Sequence, residues 1–195
     1  MSPKLRSLLQ ATAIAAIVGA GAVYSTAPAI TAEMTVEVGG APMYPSKNIV
    51  ENAVNSKDHT TLVAAVQAAG LVETLQGAGP FTVFAPTNAA FEKLPAGTVD
   101  TLLKPENKDQ LVGVLTYHVV PGNWSAEKIM AEIEKNGGKF EAKTVSGHML
   151  TFSMKDGKLW VWDESGNSAM VTIADVNQSN GVIHVVDTVL LPKMG

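Results

Sequence analysis

The sequence predicts an α+β domain, with helices gathered in its first part and strands in its second. Between Asn48 and Lys135 apolar residues recur mostly at helical spacing, interrupted by a short apolar run at 81–85. Beyond Phe140 they alternate or run continuously between turn signals, as strands do. Hairpin dipeptides such as Asp156-Gly157 join those runs, so pairing is expected to be largely antiparallel rather than the parallel sheet of an alternating α/β chain.

Residues 1–29 read as an export leader. Lys4 and Arg6 precede an apolar run from Leu8 to Val23, and Ala27-Pro28-Ala29 supplies a small-residue cleavage pattern, with Ala32 the other candidate. That run falls short of the roughly 20 residues a spanning helix needs. Cleavage is the expectation, and an uncleaved leader is the only membrane association weighed. Residues 30–47 carry Gly39-Gly40, Pro42 and Pro45 without clear periodicity and read as a flexible arm. The domain proper spans 48–192, with 193–195 a tail.

Within it, Ile49, Val50, Ala53 and Val54 mark a first helix. Thr60-Thr61 can cap a second, whose stripe of Leu62, Val63, Val66 and Ala69 stops at Gly70. Residues 81–85 form a buried strand, and Thr87 caps the turn 88–93, with Phe91 pointing back to the core. Thr98 caps a short helix ending near Leu103. A longer helix at 108–116 turns Leu111, Val112, Val114 and Leu115 inward, 117–120 is extended, and Ser125 caps a helix ending near Lys135. Strands follow at 140–145, 149–154, 159–162, 170–176 and 182–191, with Asp156-Gly157 and Asn180-Gly181 as turn signals.

Composition removes several functions. The chain has 195 residues, 14 basic and 18 acidic, for a net charge of −4. Arg6 is its only arginine and leaves with the leader, so the exported protein lacks the usual tool for reading phosphates and bases. Nucleic acid is therefore not expected as a partner, and an acidic surface suits anionic lipid no better. Zero cysteines exclude disulfides, thiolate metal sites and cysteine nucleophiles together. His59, His118, His148 and His184 are far apart in sequence and show no metal-ligand spacing. The acidic stretch 163–167 lacks the calcium-loop register, and Ser146-Gly147-His148 reads as a turn with no acid partner identifiable in the sequence. With no catalytic constellation, the expectation is a protein that is not an enzyme and carries no cofactor or metal.

Two segments carry most of the remaining information: FTVFAPTNAAF at 81–91 and NGVIHVVDTVLLP at 180–192. Both must be buried, yet they hold Thr87, Asn88, His184 and Asp187, which burial penalises unless partnered. With Tyr117-His118 between them, they resemble the signature boxes and Tyr-His motif of the fasciclin (FAS1) domain. The resemblance implies a wedge-like antiparallel β-sandwich with flanking helices. It implies a secreted, periplasmic or surface protein that adheres noncatalytically to matrix protein or surface polysaccharide. It also implies that Thr87, Asn88, His184 and Asp187 form a structural polar core bracing the boxes together. The adhesive aspartate-aliphatic pair of relatives falls at Asp175-Val176, so Tyr117, His118, Asp175 and Val176 are candidate binding residues. Independently, strand alternation places Leu159 and Val161 on one face and Trp160 and Trp162 on the other, adding two outward indoles to the candidate surface. Weak self-association is a further expectation. The alternative function is a carrier of a small apolar or glycan ligand, held between sheet and helices.

Overall fold

Two apolar runs that needed cover on both faces meet at the centre of the molecule. In the computed structural model, which describes residues 34–193, strand β3 (Phe81–Pro86) lies parallel to β9 (Gly181–Val186), in register from Phe81↔Gly181 to Pro86↔Val186. The expected leader at 1–29 lies outside the described residues. Along β3 and β9 successive side chains enter opposite cores. Val83, Ala85, Ile183 and Val185 face a cluster with Leu62, Val66, Leu111 and Leu115. Phe84 and Val186 face a second cluster with Ile129, Ile133, Phe152 and Val161. A strand pair covered on both sides has no reason to alternate polar with apolar, which explains the unbroken sequence runs.

The first core is roofed by short helices: α1 (Ile49–Ala53), α2 (Thr60–Ala69), α3 (Val72–Gln76), α4 (Asn88–Glu92), α5 (Thr98–Leu102) and α6 (Lys108–Tyr117). Asn48 opens α1 with a reciprocal capping box to Glu51, and Gly70 closes α2 in the left-handed region at φ 74°. α7 (Ala126–Lys135), capped by Ser125, covers the second core with Ile129 and Ile133, one turn apart and buried. Truncating either to alanine would cost about 2–5 kcal/mol.

The remaining strands are β4 (Val119–Pro121), β5 (Lys139–Lys143), β6 (Met149–Lys155), β7 (Lys158–Trp162) and β8 (Ser168–Gln178). They complete a seven-stranded sheet in the order β4-β3-β9-β8-β7-β6-β5, antiparallel except at β3–β9. The 11-residue β8 pairs with β7 at one end and β9 at the other, with register shifts that bend it between Val171 and Val176. The bend folds the sheet into a nearly closed wedge, and Val145 N–H reaches Val119 C=O at 2.8 Å across the closing gap.

Four expectations need correction. The first is the Thr98 cap: Thr98 is already inside α5, Gly97 holds the cap position, and no side chain caps the helix start. Part of the arm expected at 30–47 is a hairpin, β1 (Val36–Val38) and β2 (Ala41–Met43), which buries Val38, Ala41 and Met43 in the first core. Its strands are too short to show a period. Asp156-Gly157 forms its turn with φ of 52° and 72°, both left-handed as a type I′ turn requires. Asn180-Gly181 does not form the second: the loop is Ser179-Asn180, because Gln178 pairs with Gly181, the first residue of β9. A Cβ at Gly181 would meet the Phe81 carbonyl, so glycine is required there by space rather than by a turn. Finally, the cap of α2 comes from neither Thr60 nor Thr61; Asn88 supplies it across 27 residues of sequence.

Candidate functional site

The polar groups of the two boxes are all committed, mostly to elements outside the boxes. Thr87 Oγ1 accepts from Ala90 N–H at 3.3 Å and caps α4. Asn88 Oδ1 accepts from Thr61 N–H at 3.0 Å and from the Thr60 hydroxyl at 3.2 Å, while its Nδ2 donates to Lys57 C=O at 2.8 Å. Asp187 Oδ1 accepts from Met170 N–H at 2.8 Å, and its Oδ2 lies 3.4 Å from Lys93 Nζ. Burial opposes the Asp187 charge, but the Met170 N–H, Thr188 hydroxyl and Lys93 ammonium outweigh it and hold the carboxyl below its usual range. The boxes themselves are joined by the β3–β9 backbone ladder and by the stack of His184 on Phe84, not by hydrogen bonds between their polar side chains.

His184 is fully buried and stacks on Phe84, with ring centroids 5.4 Å apart. Its Nε2–H donates to Trp124 C=O at 2.7 Å, and Nδ1 accepts from Asp175 N–H at 3.3 Å. Asp175 sits in the bend of β8 at φ 57°, and its Oδ1 accepts from Ala126 N–H at 2.8 Å, at the start of α7. Thr82 pins the same loop, donating to Gly122 C=O at 2.7 Å and accepting from Trp124 N–H at 2.9 Å. Together these bonds fix where α7 begins. Burial keeps the His184 pKa below its ordinary value, with the Trp124 carbonyl and Asp175 pulling the other way.

His118 is equally saturated. Its Nδ1–H donates to Val114 C=O at 2.8 Å, and Nε2 accepts from Leu190 N–H at 3.0 Å. Burial depresses its pKa to about 4, against weaker upward pulls from the Val114 carbonyl and Asp163. Tyr117 donates its hydroxyl to Met149 C=O at 2.9 Å and accepts from Glu164 N–H at 3.1 Å; burial pushes its pKa up to about 12. Asp163 is buried inside its own turn, Oδ1 accepting from Ser165 and Asn167 N–H and Oδ2 from Leu191 N–H.

The candidate binding residues therefore do not form one patch. Tyr117, His118 and Val176 are buried in the cores and present no surface. Asp175 is half-buried and spends its carboxylate on α7. Trp160 and Trp162 do stand on the outer face, opposite buried Leu159 and Val161. Each is half-buried by cross-strand neighbours: Ser153 and Met170 flank Trp160, while Thr151 and Ser168 flank Trp162. Trp162 Nε1–H donates to Ser153 Oγ at 2.8 Å, and Lys155 Nζ stands 5.6 Å from the centre of the Trp160 ring. Lys139 and Glu141, exposed on β5, continue the same face.

Other polar side chains, whose partners no spacing marks, hold the helical side to the sheet. Asn52 bonds Gln178, and Asn180 ties Ile49 N–H to the Leu75 and Gly77 carbonyls. The capping pattern Asn48-x-x-Glu51 was a usable signal; the long-range pairs had none. Among the described residues no group of three His, Asp or Glu is placed to hold a metal ion, and no helix is long and apolar enough to cross a membrane.

The chain thus builds a wedge on one parallel pair of apolar strands, braced by buried histidines, with two half-buried tryptophans on its outer face. The fasciclin domain profile matches residues 57–192, and the chain belongs to that family. It is 51% identical to protein sll1483 of Synechocystis sp. over 164 residues, covering 84% of each chain. It is 40% identical to the cell surface glycolipoprotein MPB83 of Mycobacterium bovis over 122 residues, 63% of this chain and 48% of that one. The FAS1 domain pair of the insect cell adhesion molecule fasciclin I shares the fold at a TM-score of 0.65 and 14% identity, covering 84% of this chain and 59% of that one.

Proposed function

We propose that the protein is an exported, noncatalytic binding module that attaches to surface polysaccharide or matrix protein through the outer face of β6, β7 and β8. The observation that carries this reading is the pair of outward indoles on β7, flanked by Met170, Thr151 and Ser153 and bordered by Lys139 and Glu141. Flat indole faces stack on sugar rings and anchor protein contacts, and hydroxyl and charged neighbours supply the polar rim such sites need. A cell surface relative and a cell adhesion molecule of the same fold support the setting. Affinity of one such patch is modest, so useful adhesion comes from clustering many copies. The reading includes removal of the leader, which N-terminal sequencing of the exported protein checks.

The test is a glycan and matrix-protein array probed with wild type and with Trp160→Thr/Trp162→Thr. Because each ring is half-buried, each substitution should cost about 1–2 kcal/mol, which leaves a folded protein by circular dichroism. Capture by wild type that falls at least about tenfold in the folded double variant, a change of about 1.4 kcal/mol, supports the reading. A blank array, or equal capture by both, refutes it. Weak self-association through the same face would appear as concentration-dependent sedimentation abolished by the same variant.

A further inference from the structure

The buried histidines among the described residues are not alike. His118 and His184 engage both ring nitrogens, whereas His59 engages one: its Nδ1 lies 2.9 Å from Ser56 Oγ, and its Nε2 is buried with no protein partner in hydrogen-bond geometry. His59 is only 3% exposed. A neutral imidazole has one donor and one acceptor, so a Ser56 hydroxyl donating to Nδ1 leaves an N–H at Nε2. The Ala85 carbonyl is near enough to pull the ring's pKa upward against burial, without completing a bond. Buried donors are almost always matched by an acceptor.

His59 lines a cavity of about 80 Å³ between the helical roof and the sheet. Val66 and Leu75 line it from the roof, Val83 and Ile183 from the central strands, and Val145, 44% exposed, stands at the mouth. No Asp, Glu, Lys or Arg lines it, and its two histidines, His59 and His118, are both held neutral by burial, so nothing there offsets a ligand's charge. A void of about 150 Å³ holds benzene; this one suits a few carbons, and a longer ligand runs out past Val145.

We infer that this cavity binds a small, uncharged, mainly apolar molecule with one carbonyl or hydroxyl oxygen, which accepts a hydrogen bond from His59 Nε2. The site gives the carrier alternative a location and a ligand class. It is separate from the outer tryptophans, so the surface reading and this one stand or fall independently.

The test uses two probes of one shape small enough for the cavity, butanone and 2-methyl-1-butene, which differ by an oxygen in place of a methylene. Both, titrated into the exported protein, should shift the methyl resonances of Val66, Leu75 and Ile183, and only the ketone should shift the His59 Nε2 resonance. In His59→Leu the ratio of ketone to alkene affinity should fall by at least about fivefold, because the carbonyl is then buried without a donor. Absence of methyl shifts with both probes up to their solubility limits overturns the inference, as does an unchanged ratio in His59→Leu. Should that variant fail to fold, the wild-type imidazole decides: a bound ketone that leaves Nε2 unmoved overturns it.

Discussion

Lowering the pH should weaken this fold well before its carboxylates titrate, and His118 sets the size of the effect. Protonating its Nε2 would break the bond from Leu190 N–H and place a charge among Leu115, Tyr117 and Leu190. Burial accordingly lowers its pKa from 6.5 to about 4. Above the unfolded value neither state binds the proton, and stability is complete. As the pH falls from 6.5 towards 4, the unfolded chain takes up a proton that the folded chain refuses, so stability drops by about 1.4 kcal/mol per pH unit. The His118 contribution totals about 3 kcal/mol and levels off once the folded histidine titrates too. His59 and His184, both lowered mainly by burial, act in the same direction. Glu164 and Asp187, both held low, add their losses only beneath the ordinary carboxylate range. Urea unfolding followed by tryptophan fluorescence across this range measures the slope. His118→Gln should start less stable near neutrality and show a shallower slope. Wild-type stability that stays flat down to pH about 4.5, or a slope unchanged in the variant, refutes the reasoning.

Other perturbations test single links of the scaffold. Asn88→Ala removes the cap of α2 and the bond to Lys57 C=O, and should lower stability by about 2–3 kcal/mol. Asn88→Asp keeps the acceptor for Thr61 N–H but turns a carboxylate oxygen toward Lys57 C=O in place of the donor, so it should lose about 1–2 kcal/mol, less than the alanine variant; thermal melts separate the two. Gly181→Ala forces the backbone of β9 away from Phe81 C=O at the first pair of the parallel ladder, and should cost at least about 3 kcal/mol by denaturant titration or abolish soluble expression. Asp175→Asn should stay within about 0.5 kcal/mol of wild type and leave any array capture intact, since asparagine tolerates the left-handed backbone and keeps the acceptor for Ala126 N–H. Asp175→Ala should cost about 2 kcal/mol by the same melts.

The sequence disclosed what short-range patterning records. The stripe of α2 ending at Gly70, the Ser125 cap of α7, the Asp156-Gly157 turn and the alternation of Leu159-Trp160-Val161-Trp162 are local features with a fixed period or a fixed backbone requirement. The unbroken run of β9 announced burial on both faces and a partnered His184, but not its partners. Those partners, Trp124 and Asp175, arrive from a loop and from a bend in β8 that no periodicity marks. The parallel pairing of β3 with β9 joins segments about a hundred residues apart and was likewise invisible to spacing. Asp175 looked like a binding residue because the adhesive aspartate-aliphatic pair of relatives falls on Asp175-Val176; in space its carboxylate is taken up by the Ala126 N–H at the start of α7. Tyr117-His118 looked like a surface motif and is instead a core hinge between α6 and β4, its polar atoms consumed by Met149, Glu164, Val114 and Leu190.

On the proposed reading the signature histidines build the wedge and take no part in recognition. A long-range ¹H–¹⁵N spectrum of the imidazole nitrogens, with and without a captured glycan or matrix ligand, tests that most directly. Here His118 should carry its proton on Nδ1 alone and His184 on Nε2 alone, both neutral at pH about 6 and unmoved by the ligand. Either ring titrating with a midpoint near its free value, or exchanging its proton between nitrogens when ligand binds, would contradict the account.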